Sequence, residues 1–247
     1  MVVPRLTGVV DRRLLVNYRL DAAVARSWVP APLRPQLVNG SAVAGICLLR
    51  LTDLRPAGLP AVIGVRSENV AHRIAVEWDD ETGRRTGVYI PRRDSGSRLN
   101  VLAGGRLFPG PHGSADFEVD ESPERLRVAV QTEEGAGASA DVAVRVTDEL
   151  RGSALFANVN DASEFFRGGS VGWSPNRAHT ILNGIELRTD AWHVEPTEIE
   201  SVRSSFYEGG GVPAGSATID CVLLMRRVPV TWVDAGRITP ELAAQPA

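Results

Sequence analysis

Apolar and polar residues alternate with a period of two along most of the chain. Leu14, Val16 and Tyr18 alternate with Leu15, Asn17 and Arg19, and Val70, His72, Ile74, Val76 and Trp78 alternate with Ala71, Arg73, Ala75 and Glu77. Successive side chains of a strand point to opposite faces, so each run predicts a strand with a preferred inner face. Asp79-Asp80-Glu81-Thr82-Gly83 supplies turn residues before Val88, Tyr89 and Ile90 resume the pattern, which predicts a hairpin. A second hairpin is predicted from Leu126, Val128 and Val130 into Val142, Val144 and Val146, with its bend over residues 135–139. Later strands are expected over residues 185–189 and 217–232. The last contains an apolar run from Ile219 to Met225 whose alternate face still carries Val222 and Leu224. Such a strand should be central and covered on both faces, and Arg226, Arg227 and Pro229 predict a bulge or bend within it.

Helices are few. Asp21 is expected to cap a helix over residues 22–28, with Val24 and Trp28 stacked one turn apart and Pro30 ending it. Residues 97–108 place Leu99, Leu102, Ala103 and Leu107 on one stripe, where Gly104-Gly105 implies close backbone packing. Asp161-Ala162-Ser163-Glu164 has a capping-box pattern and leads into Phe165-Phe166 before Gly168-Gly169 stops the helix. Strands with inserted helices predict an α+β fold, predominantly antiparallel β. The regular alternation and Gly-rich first loop of a βαβ nucleotide fold are missing. Gly and Pro are scattered rather than gathered into a tether, so one domain is expected over residues 1–240, followed by a short flexible tail over 241–247.

Composition changes this picture at one point above all. The 27 basic residues are all arginine, and the chain contains no lysine. No side-chain amine can therefore form a Schiff base with a carbonyl substrate or with pyridoxal phosphate. The net charge of -3 is not gathered into blocks, which argues against a nucleic-acid partner. No apolar run reaches membrane-spanning length and the start of the chain lacks the features of a secretory signal, so no membrane partner is expected and the cytosol is the expected compartment. Cys47 and Cys221 each lie in an apolar run, which predicts two reduced, buried thiols rather than a disulfide or a metal cluster.

Five stretches, in order, carry a resemblance to a known family. They are Leu15-Val16-Asn17-Tyr18-Arg19-Leu20-Asp21 with Trp28-Val29-Pro30 and Asn39-Gly40; Ser67-Glu68-Asn69-Val70-Ala71-His72-Arg73 with Gly87-Val88-Tyr89-Ile90; Leu99 through Arg106-Leu107-Phe108-Pro109-Gly110-Pro111-His112; Asp190-Ala191-Trp192-His193-Val194-Glu195-Pro196; and Val230-Thr231-Trp232. With these the chain resembles the DUF2071 family of the acetoacetate decarboxylase-like superfamily. The resemblance implies a closed or cone-shaped antiparallel sheet with a few short helices, enclosing a pocket for a small oxo-acid. It also implies that the second of these stretches faces the pocket. In acetoacetate decarboxylases the loop corresponding to residues 108–113 carries paired lysines, one of which forms the imine. Here that slot holds Pro111, His112 and Gly113, and imine decarboxylation loses its first chemical step.

The candidate catalytic residues are Glu68, His72 and His112. Counting by two places Glu68 and His72 on the same apolar face, about 13 Å apart along a strand, so a ligand or another side chain would have to bridge them. Glu68 is either a carboxylate whose burial suits it to proton transfer or a strand-edge partner for one of the many arginines. His72 is either a pocket base or a core histidine bonded to a backbone carbonyl, and His112 is either a pocket residue at the lost lysine position or a solvent-facing loop residue. The candidate substrate-binding residues are Arg73, Tyr89, Arg92, Arg93 and Arg106, since a guanidinium holds a carboxylate through two parallel hydrogen bonds. Arg73 alternates off the His72 face and is expected to point outward. The four histidines show no metal-ligand spacing, and neither a metal nor a cofactor is expected. Two function classes follow: a pocket protein that binds a small organic acid without covalent catalysis, and a lyase, hydratase or isomerase using Glu/His proton transfer. A homodimer is compatible with an antiparallel protein of this size.

Overall fold

The computed structural model describes residues 4–97, 108–132 and 138–240. The helix expected over residues 97–108 lies outside them except for its two ends, as do Arg106, most of the 135–139 bend and the 241–247 tail. The elements follow as β1 (Leu6–Leu20), α1 (Ala22–Trp28), β2 (Arg34–Pro35), β3 (Leu37–Val38), β4 (Ser41–Pro56), β5 (Val65–Asp80), β6 (Gly83–Ser95), β7 (His112–Glu121), β8 (Arg125–Thr132), β9 (Ser139–Val146), α2 (Val159–Gly168), β10 (Val171–Pro175), β11 (Leu182–Arg188), β12 (Glu195–Ser204) and β13 (Ala217–Ile238).

Five strands form a wall in the order β13-β1-β4-β5-β6, each antiparallel to the next. From β6 the sheet returns to β13 by two routes. One ring closes through β10 and β11. The other closes through β7, β8, β9 and β12. Closure leaves no edge on the wall, and the wall belongs to both rings. The fold is therefore a predominantly antiparallel, closed β architecture with short helices, and among the described residues the parallel pairings are those of β6 with β7 and with β10.

Sharing the wall explains the sequence of its strands. Leu14, Val16, Leu48, Ile74, Val222 and Leu224 point into one core, and Leu15, Val43, Cys47, Ala75, Leu223 and Met225 into the other. A strand covered on both faces must be apolar at successive positions, which is why Cys221 to Met225 shows no alternation. Arg227 has a φ of 55°, in the left-handed region, but keeps the register with β1, and the strand continues beyond it; the register shift against β1 falls at Asp220 instead, between Cys221 and Ile219.

The helix ends show one agreement and one shift. Asp21 Oδ1 accepts from the backbone N–H groups of Ala23 (2.8 Å) and Val24 (3.0 Å), capping α1. The cap of α2 is Asn158 rather than Asp161, so the helix starts a turn earlier than the Asp161-Glu164 pattern predicts. Asn158 Oδ1 accepts from the N–H of Asn160 (2.9 Å) and Asp161 (3.0 Å), while its Nδ2 donates to Asp161 Oδ2 (3.0 Å). Both residues thus belong to one reciprocal cap, with Asp161 inside the first turn. Asn158→Ala should cost about 1 kcal/mol of stability in urea melts, whereas Glu164→Ala, which lies outside the cap, should cost less than about 0.5 kcal/mol.

Candidate functional site

The ring closed by β10 and β11 encloses a cavity of about 140 Å³. Its wall is mostly apolar, with Leu49, Leu51, Val88, Ile90, Ile185, Leu187, Phe108, Phe166, Trp192 and Trp232. Phe108 packs edge-on against Trp232 at 5.4 Å between ring centres, and Trp192 is fixed by donating from Nε1 to Ser163 Oγ at 3.1 Å. Ser170, Leu187 and Trp192 also border an open polar depression of about 320 Å³.

Polar groups enter this apolar shell from five strands. Arg13 comes from β1, Cys47 from β4, Arg73 from β5 and Arg93 from β6, and His112 stands at the start of β7. Arg73 Nε donates to Cys47 Sγ at 3.1 Å and Arg13 Nη2 donates to the same sulfur at 3.3 Å. A second Arg73 nitrogen, Nη2, donates to Asn17 Oδ1, and the guanidinium carbon lies 4.9 Å over the Phe166 ring. Arg93 Nη1 donates to Pro109 O at 2.6 Å and to Ser174 Oγ. Among the described residues no carboxylate is within ion-pair distance of Arg13, Arg73 or Arg93. Arg73 Nη1 and Arg13 Nε are buried without a hydrogen-bond partner among the described residues. Asp94 also borders the cavity, but its carboxylate is engaged by Arg92 at 2.8 Å.

The ionisation of the cavity follows from these neighbours. Burial lowers Arg93 to about 10. Burial also lowers His112 to about 4, with the Arg93 charge acting in the same direction, so the ring is neutral near pH 7. Its Nδ1 lies 2.8 Å from Gly110 O, and as donor to that carbonyl it leaves the Nε2 lone pair free to accept. Burial alone would raise the Cys47 thiol, but the charges of Arg13 and Arg73 and the hydrogen bonds they donate hold it below its ordinary range. The other thiol, Cys221, is pushed up to about 12 by burial and by Asp220.

The structure separates the residues proposed from the sequence. Arg73, Arg93 and His112 meet at the cavity. Arg73 does not point outward: it is 2% exposed, because the wall has no solvent face. Glu68 and His72 do share a face, but it is the opposite one, toward the second ring. Glu68 bonds Arg12 at 2.5 Å and Arg50 at 2.6 Å, and the same two arginines reach Glu121 at 3.3 and 2.9 Å. His72 packs against Phe206 at 4.5 Å, with Nδ1 buried and unpartnered rather than bonded to a carbonyl, and burial holds it at about 4. Tyr89 is in the opposite core as well, and Arg92 is turned to Asp94. A bulge in β6 accounts for part of this division: His72 pairs with Arg92 and Ile74 with Tyr89, so one residue of β5 faces two of β6. The extra residue lets Val88, Ile90 and Arg93 all reach the cavity despite their odd spacing. Trp192-His193 lies in the loop between β11 and β12, and Trp173 packs edge-on with Trp78 at 5.5 Å.

Cys47 and Arg13 are absent from the residues proposed from sequence. A weak signal existed at Ala71-Arg73-Ala75, where two small side chains flank an arginine and make room for it.

A sheet closed twice over a shared wall, with an enclosed site in one ring, is the acetoacetate decarboxylase-like fold. Acetoacetate decarboxylase from Legionella pneumophila superposes with a TM-score of 0.59 at 11% identity, covering 98% of this chain and 90% of that one. An acetoacetate decarboxylase-like enzyme from Sphingomonas wittichii RW1 gives 0.59 at 13%, covering 98% and 95%. The enduracididine biosynthesis enzyme MppR, complexed with pyruvate, gives 0.55 at 12%, covering 97% and 91%. At this identity the likeness is one of fold. The chain itself belongs to the DUF2071 family, described as an uncharacterized conserved protein, whose profile matches residues 9–229. A relative, the uncharacterized protein YqjF of Bacillus subtilis strain 168, is 26% identical over 114 residues, a match spanning 46% of each chain.

Proposed function

We propose that the protein binds a small organic acid, of the 2-oxo-acid class, in the cavity between Arg73, Arg13 and Arg93. The observation that carries this reading is the convergence of three guanidiniums, Arg73 buried and Arg13 and Arg93 half-buried, that no carboxylate of the described residues neutralises. Buried charge is costly unless paired, and a ligand carboxylate supplies the missing partner through charge-assisted hydrogen bonds. The volume suits a ligand of about six non-hydrogen atoms, since a cavity of about 150 Å³ accepts benzene. Pyruvate has this size and charge, and MppR, which shares the fold, is a pyruvate complex. Because the chain has no lysine, binding on this reading does not lead to a side-chain imine, the first step of acetoacetate decarboxylase chemistry.

Proton transfer by Glu68 and His72 is disfavoured, since neither borders the cavity. His112 does border it as a neutral imidazole, and an acid–base reaction on the bound acid would rest on that residue.

Thermal denaturation with pyruvate, 2-oxobutyrate and acetoacetate tests the reading, with pyruvamide and acetone as uncharged controls. A ligand at a hundred times its dissociation constant adds about 2.7 kcal/mol to the native state, so the three acids should raise Tm and the neutral compounds should not. Equal stabilisation by pyruvamide, or none by any acid, overturns it.

A further inference from the structure

We propose that Cys47 is a nucleophile of the cavity, and that its thiolate adds reversibly to the carbonyl carbon of the bound 2-oxo acid. This inference rests on the anion-binding reading above and goes one step further, from recognition to covalent capture.

Three structural features single out this thiol. Cys47 Sγ is the shared acceptor of Arg73 (3.1 Å) and Arg13 (3.3 Å), so the groups that would hold a carboxylate also touch the sulfur. Each of those arginines retains a buried nitrogen without a partner, Nη1 of Arg73 and Nε of Arg13, and Arg73 is 2% exposed. Cys47 borders the cavity, whereas Cys221 does not. Cationic neighbours favour the thiolate, which is the nucleophilic form. A 2-oxo acid places its carbonyl carbon next to its carboxylate, so anchoring the acid on the arginines brings the electrophilic carbon to the sulfur.

The step balances without a further reactant. A sulfur lone pair forms the C–S bond, the carbonyl π pair moves to oxygen, and that oxygen takes one proton from water to give a thiohemiketal. Reversal returns the thiolate and the free oxo acid, with no change of oxidation state. A lysine-free pocket could in this way hold a carbonyl substrate covalently.

Alkylation supplies the first test. Toward an ordinary thiol, iodoacetamide reacts faster than the anionic iodoacetate. At Cys47 the order should reverse, with iodoacetate faster by about tenfold, the size of one charge-assisted hydrogen bond. Peptide mass spectrometry should find the label on Cys47 and not on Cys221, and pyruvate should protect it. Arg73→Met should abolish the reversal, and Arg13→Met gives the same comparison if the first variant folds poorly. Carbon-13 spectra of pyruvate labelled at its carbonyl carbon should show, beside the hydrate of free pyruvate, a second, protein-bound tetrahedral carbon with the wild-type protein and not with Cys47→Ser. A native Cys47 that resists both reagents, an unreversed order, or no tetrahedral signal beyond that of the pyruvate hydrate overturns the inference. If Cys47→Ser is still stabilised by pyruvate while the wild type shows no adduct, the covalent step fails and the anion site stands. If neither protein is stabilised by any oxo acid, the anion site fails with it.

Discussion

Arg73→Met should remove the stabilisation conferred by small carboxylates while leaving the ligand-free protein as stable as the wild type, or more so. Two opposing effects set the second half of this expectation. The substitution leaves Asn17 Oδ1 without its donor, which costs about 1–3 kcal/mol, removes one of the two donors to Cys47 Sγ, and gives up the contact over Phe166. It also removes a cation that is 2% exposed and unpaired with any described carboxylate, and the penalty for such a charge is several kcal/mol even after relaxation. Methionine fills a similar length of the cavity wall without that penalty. Loss of one charge-assisted hydrogen-bonding group from the ligand should weaken binding by about 10- to 150-fold, corresponding to 1.5–3 kcal/mol. Urea melts with and without pyruvate measure both quantities. A variant that is strongly destabilised yet still responds to pyruvate would show that Arg73 supports the wall rather than the ligand.

The fold was more legible in the sequence than the site, for a physical reason. Strand periodicity, the hairpin turn at Asp79 to Gly83 and the Asp21 cap are local signals, each decided by a few neighbouring residues. Which face of a strand meets a ligand is a property of the closed sheet. On β5 both faces are buried, so alternation distinguishes Glu68, Val70 and His72 from Ala71 and Arg73 without saying which set lines a cavity. The usual inference that the more polar face is the outer one fails on a wall enclosed on both sides, and it is this failure that misdirects Arg73. The β6 bulge adds a second reversal, because one inserted residue sends Arg93 to the cavity side that a regular count assigns to Arg92. Cys47 was recognisable as buried, but its position between two guanidiniums depends on pairing among β1, β4 and β5. His112 came from the opposite direction: the lysine slot implied by the family resemblance places it near the site, and the cavity includes it.

Buried His72 and half-buried His112 should make the protein acid-labile in a window above that of its carboxylates. His72 and His112 both stand at about 4 in the folded protein, against an ordinary value of 6.5, with burial the leading cause in each. The folded state therefore keeps both rings neutral while the unfolded chain takes up protons below pH 6.5. Their contribution to stability is fully present above that pH and is lost as the pH falls from about 6.5 toward about 4. Each difference in proton affinity corresponds to about 3 kcal/mol, so two independent sites account for about 6 kcal/mol over the whole window. Asp79, Asp80 and Glu195 are held below their ordinary carboxylate values by Arg34, Thr82 and Arg226 respectively, and their stabilisation is lost at lower pH. Urea melts between pH 7 and pH 5 isolate the histidines, and a flat profile there would contradict the lowered proton affinity of both rings. His72→Leu should remove one half of the slope whether or not ligand is present, because His72 faces the opposite core. The half that belongs to His112 should respond to pyruvate, since an added carboxylate beside Arg93 offsets the charge that holds this imidazole neutral. A ligand-sensitive slope that survives His72→Leu and disappears in His112→Asn would therefore place the bound anion in the ring closed by β10 and β11.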